Sequence, residues 1–148
     1  MIIVPKLQLV EQLFTDFKEY SEKNNFDVDK NCHKIYGGQD KDALPQIYIS
    51  TWQSIYKLKQ NYFKQFKYII CDEVHLADAK SITSIMDNSI NATFRIGLTG
   101  TIRNTKCHMY VLEGLFGPVK TVITTKELIE NKQISDIIIK CVVLKHHP

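Results

Sequence analysis

Two adjacent carboxylates, Asp72 and Glu73, follow directly after the short apolar segment 68–71, and His75 lies two residues beyond them. Like charges at this spacing repel each other unless a cation or a proton neutralises one of them. Hydrated Mg²⁺ is the cation to expect, because it binds through one or two carboxylates together with substrate phosphates. Asp72 would then hold the metal through water, and Glu73 would polarise the water that attacks a γ-phosphate.

A second interpretation of the acidic pair needs no ligand. Acidic residues are favoured in the first turn of a helix, so Asp72 and Glu73 could simply cap the helix that follows. A third is an unrelated Mg²⁺-dependent hydrolase, which would need further carboxylates near the same strand ends, and none is convincingly placed. The pair alone does not decide between the first two.

Cysteine and histidine give only a weak indication of a metal site. The dipeptides Cys32-His33 and Cys107-His108 could be zinc ligands, but neither has a partner pair at zinc-site spacing. Scattered cysteines without a C-x-x-C pair are typical of buried, reduced thiols in a cytosolic protein. The scattered positions are Cys32, Cys71, Cys107 and Cys141.

Composition describes an ordinary globular chain. Its 148 residues suit one domain, with 44% hydrophobic and 24% charged residues. A net charge of +3 permits contact with nucleic acid without arguing for it. No apolar run approaches the roughly 20 residues of a membrane span, and no secretory signal is expected at the start.

Segments typical of strands alternate with segments typical of helices. We expect strands at 1–4, 32–36, 47–50, 68–71, 94–100, 121–124 and 136–144. Apolar residues at helical spacing predict helices at about 10–23, after Thr51, over 82–90, over 107–115 and over 125–131.

Several of these strands are continuous apolar runs, which is typical of strands that are covered on both faces. The sequence therefore predicts an α/β fold, a parallel sheet sandwiched by helices and wound right-handed. Ligands of such sheets bind beyond the carboxyl ends of the strands. Four polar groups fall at these ends: Pro5-Lys6, Ser50-Thr51, Asp72-Glu73 and Thr99-Gly100-Thr101.

The combination of these segments resembles one protein family. ICDEVH at 70–75, followed by RIGLTGT at 95–101, resembles motifs II and III of superfamily 2 helicases and translocases of the DExH type. IIVPKLQLVEQ at 2–12 resembles motif Ia of that family. The later segments that resemble its nucleic-acid contacts and its exit from the first motor domain are 35–38, 47–57 and 124–137.

The resemblance covers essentially the whole chain, and it implies a RecA-like sheet that is incomplete at the N-terminus. It implies part of the ATP-binding motor domain of a nucleic-acid-dependent ATPase, a helicase that remodels branched DNA or DNA–RNA hybrids. ATP and Mg²⁺ would be the cofactors of the complete protein. The location would be the cytoplasm, that of the host if a phage encodes the chain.

Residue roles follow from the same resemblance, position by position. Asp72 would coordinate Mg²⁺ through water, Glu73 would be the general base, and His75 would link the nucleotide site to motif III. Motif III, which would couple hydrolysis to strand movement, is Thr99, Gly100 and Thr101. The contacts to the phosphate backbone would be Pro5, Lys6, Gly38, Ser50 and Thr51.

Several of these residues also have a purely structural interpretation. His75 could be an ordinary loop histidine, and Thr99 and Thr101 could serve turn chemistry alone. Lys6 stands where the family usually has Thr or Ser, so it would meet phosphate as a point charge. A basic run could contact nucleic acid but is better read as a solvated face; it comprises Lys57, Lys59, Lys64 and Lys67, interleaved with Tyr62 and Phe63.

One expected element is absent. A phosphate-binding loop needs G-x-x-x-x-G-K-[ST], and the chain contains no Gly-Lys dipeptide. We therefore expect residues 1–135 to be a partial motor domain and 136–148 to be an exit strand or linker towards a second motor domain. The upstream segment and that second domain would come from elsewhere, and a separate chain could supply them.

This incompleteness has two expected consequences. The chain alone should not hydrolyse ATP at a useful rate, and the motif III strand should have an open edge that leaves the monomer marginally stable. The alternative function is a non-catalytic remnant that binds nucleic acid or a partner helicase.

Overall fold

The computed structural model of the protein describes residues 1–36, 45–100 and 106–135. Gly38, Thr101 and the strand expected at 136–144 lie outside these ranges. Five strands are present: β1 Ile2–Val4, β2 Cys32–Ile35, β3 Ile47–Thr51, β4 Tyr68–Cys71 and β5 Phe94–Gly97. The helices are α1 Leu7–Ser21, α2 Val28–Asn31, α3 Trp52–Ile55, α4 Gln60–Phe63, α5 Ala79–Asn88, α6 Lys106–Phe116 and α7 Thr125–Glu130.

The strands form one parallel sheet in the order β2-β3-β1-β4-β5. This arrangement confirms the predicted parallel α/β architecture. Because all strands run the same way, their carboxyl ends meet at one edge of the sheet. Ile3 of β1 aligns with Ser50 of β3 and with Cys71 of β4, which places the residues after these strands side by side.

One face of the sheet carries the main core. Helices α3 to α6 pack there, with Trp52, Ile55, Phe63, Ile82 and Leu112 among the buried side chains. Apolar residues at helical spacing bury one side of α5, as predicted. This face is closed by tight packing.

The opposite face is covered only in part. Helix α1 packs Val10 against Val4 and Ile49, which are fully buried. No comparable cover lies over β4 and β5 within the described residues, where four large apolar side chains are exposed. We call these the open face: Tyr68, Phe94, Ile96 and Leu98, with exposed fractions of 59%, 52%, 46% and 48%.

Contacts divide the chain into two units, Met1–Gly117 and Pro118–Pro148. In the second unit, α7 begins at a capping box in which the Thr124 hydroxyl accepts from Glu127 N, and the Glu127 carboxylate accepts from Thr124 N. This confirms the short helix predicted for 125–131.

Three predicted elements differ from the structure. Residues 121–124 are not a strand: they have no regular structure, and Val122 is 89% exposed, so no strand among the described residues pairs with them. Ile90 lies beyond α5 and is exposed, because Asn88 and Ser89 bond back to Ser84 and Ile85 carbonyls and end the helix. The fifth strand ends at Gly97, three residues earlier than predicted.

No helix in the described ranges is long and apolar enough to cross a membrane.

Candidate functional site

The two carboxylates lie in a turn that backbone hydrogen bonds fasten between neighbouring strands. Asp72 N donates to Ile3 O of β1 at 2.8 Å, and Val74 N donates to Leu98 O, just past β5, at 3.0 Å. Leu98 N in turn donates to Cys71 O at 2.8 Å. The turn is therefore held from both sides, at the carboxyl edge of the sheet where the sequence predicts it.

The turn itself has an unusual backbone. Glu73 has φ 45° and ψ 44°, the left-handed region that few residues other than glycine adopt. Its N–H donates to Asp72 Oδ1 at 2.9 Å, which fixes the first carboxylate against the turn. One oxygen of Asp72 is thus engaged by the backbone, and Oδ2 remains for a ligand. Such backbone strain is concentrated at functional sites.

The capping interpretation does not account for the acidic pair. Glu73 precedes the short 3₁₀ turn Val74–Leu76, but its side chain makes no capping hydrogen bond there. The cap of α5 is instead Asp78, whose Oδ2 accepts from Ser81 N at 3.0 Å.

Histidine 75 lies between the acidic turn and the segment that follows β5. Its Nδ1 is 2.6 Å from Thr99 Oγ1 and 3.2 Å from Glu73 Oε2. The structure therefore brings Thr99 of the second motif to His75 and Glu73 of the first. His75 is more than an unattached loop side chain.

The two short approaches to His75 are not equivalent. Glu73 Oε2 is buried and has no hydrogen-bond partner, although the imidazole is only 3.2 Å away. The distance alone suggests an ion pair, but the ring nitrogen is aligned with Thr99 and not with the carboxylate, so we regard Glu73 Oε2 as unpaired. An unpaired buried oxygen is unfavourable and calls for an explanation, and a catalytic role is one such explanation.

The donor set suits magnesium better than zinc. Across residues 1–36, 45–100 and 106–135, no group of three or more His, Cys, Asp or Glu side chains could hold a metal ion. One or two carboxylates that share a cation with substrate phosphates are the usual Mg²⁺ arrangement, and Asp72 with Glu73 fits it. Cys32 and Cys71 are buried free thiols, as predicted, and burial raises the pKa of Cys71 to about 12.

The predicted nucleic-acid residues are not equally accessible. Lys6 is exposed at the start of α1, whereas Pro5 is buried. Ser50 is fully buried, and its hydroxyl lies 3.0 Å from Ile35 O of β2 and 3.0 Å from Thr51 O, two acceptors that share its single proton. Its side chain is therefore buried in this structure, and the contact of Ser50 with a phosphate stays a prediction. Thr51 is nearly buried, and its hydroxyl pairs with that of Ser54 at 2.9 Å.

The basic run forms a solvated face, because its two aromatic residues belong to the core. Phe63 is fully buried, and Tyr62 packs edge-on against Phe63 and Phe66. Neither ring is presented for stacking on a base.

Gln53 is a residue of this edge that the sequence did not single out. Its side chain is exposed, and Nε2 lies 3.4 Å from Pro5 O, so it joins the ends of β1 and β3. Its only sequence signal is its place in segment 47–57, where the apolar Trp52 and Ile55 dominated the interpretation.

Comparisons with known protein sequences identify the family of the chain. The family described as type III restriction enzyme, res subunit, matches residues 1–104. The ATP-dependent DNA helicase uvsW of Enterobacteria phage T4 is 33% identical over 99% of this chain, which spans 29% of that relative's length.

Solved structures of helicases have a similar fold. The crystal structure of the UvsW helicase from bacteriophage T4 superposes with a TM-score of 0.63 at 35% identity, over 78% of this chain and 41% of that one. Mss116p bound to single-stranded RNA and AMP-PNP has a TM-score of 0.53 at 16% identity, over 78% of this chain and 27% of its own, and supports the fold alone. The predicted RecA-like sheet is confirmed. The chain belongs to the superfamily 2 helicases, within the type III restriction enzyme res-subunit family.

Proposed function

We propose that the chain is part of the ATP-binding motor of a nucleic-acid-dependent helicase that remodels branched DNA or DNA–RNA hybrids. The observation that carries this proposal is the buried, unpaired Glu73 Oε2 beside Asp72 at the carboxyl edge of the sheet. Residues 1–135 would be the partial motor domain, 136–148 its exit, and the host cytoplasm its location if a phage encodes it.

Asp72 would hold Mg²⁺ of a Mg²⁺–ATP complex through water. The bound metal would neutralise charge that develops on the phosphates. The geometry that supports this role is the engaged Oδ1, because the Glu73 N–H at 2.9 Å fixes the carboxylate against the turn. Preorganisation of this kind removes the need to reorient the ligand during the reaction.

Glu73 would orient the attacking water and accept its proton. A general base must have an acceptor that the protein leaves unoccupied, and Glu73 Oε2 meets this requirement. The side chain is 40% exposed, so water can reach the other carboxylate oxygen. Held between β1 and β5, the turn keeps this group in place while the ligand binds.

Nucleic acid would bind at the other half of the same edge. Helix α1 begins at Lys6 without any side-chain cap, although Ser, Thr, Asp or Asn usually occupies that position. A cation at the positive end of a helix dipole is unfavourable on its own. A phosphate would relieve both features, because it accepts from first-turn N–H groups and pairs with the ammonium. Such contacts carry no sequence information.

The open face supports the proposal that another segment completes the sheet. Strand β5 pairs with β4 alone among the described strands, so the outward N–H and C=O groups of Arg95 and Gly97 form a free edge. Parallel sheets are normally covered on both faces. A strand beside β5 and a helix over the open face would satisfy both needs. The phosphate-binding loop that this chain lacks would be supplied by such a segment, from the same polypeptide or another.

Glu73→Gln tests the catalytic part of the proposal. The 148-residue chain is fused to a segment that supplies G-x-x-x-x-G-K-[ST], and single-strand-stimulated ATP hydrolysis is measured. We expect turnover to fall by roughly 10²–10⁴-fold with nucleotide binding retained, because only the base is lost. Glu19→Gln, which changes an exposed carboxylate on α1, is the matched control and should leave turnover unchanged. Undiminished turnover in the Glu73 variant would remove this residue from the reaction.

The alternative function, a non-catalytic binding module, is favoured by the accessible Lys6 edge together with the missing Gly-Lys dipeptide. It predicts salt-sensitive binding of single strands that ATP does not alter, and no turnover in any fusion. The same fusion protein therefore separates the two functions.

A further inference from the structure

The backbone of Glu73 needs an explanation, because a residue with a side chain rarely adopts a φ of 45°. Such a conformation persists only where the surrounding structure imposes it. The chain enters the acidic turn through a hydrogen bond from Asp72 N–H to Ile3 O. It leaves the turn through a hydrogen bond from Val74 N–H to Leu98 O. Because both ends are fixed in this way, whatever holds Val74 also holds the rotation at Glu73.

The side chain of Val74 is the first one after Glu73, and it is 4% exposed within the main core. It lies beside Gly97, the last residue of β5. A methyl group at Gly97 would be 3.3 Å from Val74 Cγ1 and 3.2 Å from Cγ of the Phe116 ring. Carbon atoms pack best at about 3.5–4.0 Å, so these two side chains leave no room for a Cβ. Val74 and Phe116 therefore converge on the bare Cα of Gly97.

Phe116 is the last residue of α6, and its ring packs on the main core. The helix ends there because Gly117 has a φ of 91°, a conformation that commonly terminates helices and that glycine adopts without strain. The N–H of Gly117 still donates to Glu113 O at 2.8 Å, so the final turn of α6 is hydrogen-bonded to its end. The ring is thus carried by a well-defined helix terminus.

We propose that Phe116 is a positioning residue for Glu73: its ring and the bare Cα of Gly97 enclose Val74 and so hold the acidic turn in its left-handed conformation. The inference rests on the proposed function for the role of Glu73 as a base, but not for the packing. Loss of the ring would free Val74, and Glu73 would relax to a negative φ that moves its carboxylate. Helix α6 lies outside every segment that resembles a family motif, yet it would determine where the base lies.

Proton contacts within single residues test the proposal on the ¹⁵N,¹³C-labelled chain without nucleotide. The distance from the amide proton to Hα is shortest at positive φ, so Glu73 should give a stronger nuclear Overhauser effect than the helical residues of α1. The Glu73 amide shift also reports its bond to Asp72 Oδ1. Four proteins are compared: the parent, F116A, F116L and L115A. Leu115 is the matched control, because it packs on the same core from the same helix turn but is not among the groups nearest Gly97.

In F116A we expect the Overhauser effect of Glu73 to fall to the intensity of the helical residues, and its amide shift to move. F116L keeps a bulky apolar side chain beside Gly97 and should match the parent. L115A should lose stability, as core truncations do, without either change at Glu73. A purely structural role of Phe116 would instead give the same result in both alanine variants.

An unchanged Glu73 in folded F116A, or equal changes in F116A and L115A, would overturn the proposal. If F116A does not fold, G97A decides instead, since its methyl group must displace Val74 or the ring. We expect Glu73 to change in G97A and to recover in G97A/F116L, where the smaller side chain makes room. No change in G97A, or no recovery in the double variant, would equally overturn it. The spectra need no ATP, so their outcome is independent of whether the fusion protein hydrolyses it.

Discussion

The two halves of one sheet face differ in what covers them, and one row of isoleucines shows the difference directly. The strand register aligns Ile49, Ile2, Ile70 and Ile96 across β3, β1, β4 and β5. Ile49 is fully buried under α1, Ile2 and Ile70 are half-buried, and Ile96 is 46% exposed. The residue type is constant along the row, so the difference comes from the cover alone.

The exposed half is also the half that carries the acidic turn. Asp72 and Glu73 follow β4, and Thr99 follows β5. In the covered half, Lys6 follows β1, and Ser50 lies near the end of β3 with its hydroxyl buried. The sheet and the proposed nucleotide site thus lack a partner at the same place. A single added segment that covers the open face would lie next to both carboxylates.

The largest effect that tests this comparison is the truncation of matched isoleucines. Ile49→Ala should reduce the free energy of unfolding by about 2–5 kcal/mol, because it leaves a cavity under α1. Ile96→Ala should change it by no more than about 0.5 kcal/mol, because the side chain is largely exposed. Urea denaturation of both variants measures the two values.

Equal losses for the two variants would mean that the open face is covered in solution, for example by self-association. Sedimentation at several concentrations distinguishes that case, since a face covered by a second copy is exposed again on dilution.

The free energy of unfolding should depend on pH through the amine of Met1, which lies where β1 meets β4. In the 148-residue polypeptide prepared by itself, the Met1 ammonium donates to Tyr68 O at 2.7 Å, and burial lowers its pKa from 8.0 to about 6. Between these values the unfolded chain binds a proton that the folded chain does not, so stability rises with pH. The free energy of unfolding should fall by about 2–3 kcal/mol as the pH is lowered from above 8 to below 6.

A chain that begins one residue earlier is the control for this effect. Its peptide N–H can donate to Tyr68 O but does not titrate, so the difference between the two chains isolates the amine from the histidines. Parallel pH profiles of the two chains would contradict a buried ammonium at Met1.

Much of the fold follows from the sequence, because continuous apolar runs such as 47–50 and 68–71 specify strands covered on two faces. The sequence does not indicate which strands are covered, because the apolar segments around Ile49 and Ile96 are similar although only Ile49 is buried. Residues 121–124 are as β-branched as a true strand, yet no strand in the ranges 1–36, 45–100 and 106–135 pairs with them. Strand formation depends on such partners, which local sequence does not record.

The acidic turn is predictable because its residues are adjacent, whereas its connections are not. The family resemblance predicts a link between His75 and the segment of Thr99, but the spacing alone does not indicate that these two side chains meet at 2.6 Å. Ser50 and Thr51 look alike in the sequence, since both are hydroxyl residues at a strand end. In the structure the Ser50 side chain is fully buried, and its hydroxyl contacts the backbone of the neighbouring strand β2. The distinction between a ligand contact and a structural hydrogen bond arises only in the folded chain.

Ser50→Ala tests the structural assignment within the covered half. Removal of the hydroxyl takes away the buried donor that lies 3.0 Å from both Ile35 O and Thr51 O, which should reduce the free energy of unfolding by about 1–3 kcal/mol. Single-strand affinity, measured by fluorescence anisotropy below the unfolding range, should not change. Weaker binding by a fully folded Ser50 variant would restore this residue to the nucleic-acid contacts.

The smallest change in stability, and the most selective change in binding, should come from Lys6→Ala. Lys67→Ala is the matched control, because Lys67 is equally exposed but precedes β4 at the opposite edge of the sheet. Loss of one phosphate contact should reduce the slope of log affinity against log salt by about 0.7 for a single strand. Stability should stay within about 0.5 kcal/mol of the parent, since an exposed cation at a helix N-terminus contributes nothing favourable to folding. If both variants reduce the slope equally, the chain attracts nucleic acid through its general positive charge and not through the start of α1. The covered half of the sheet would then have no specific role in binding nucleic acid.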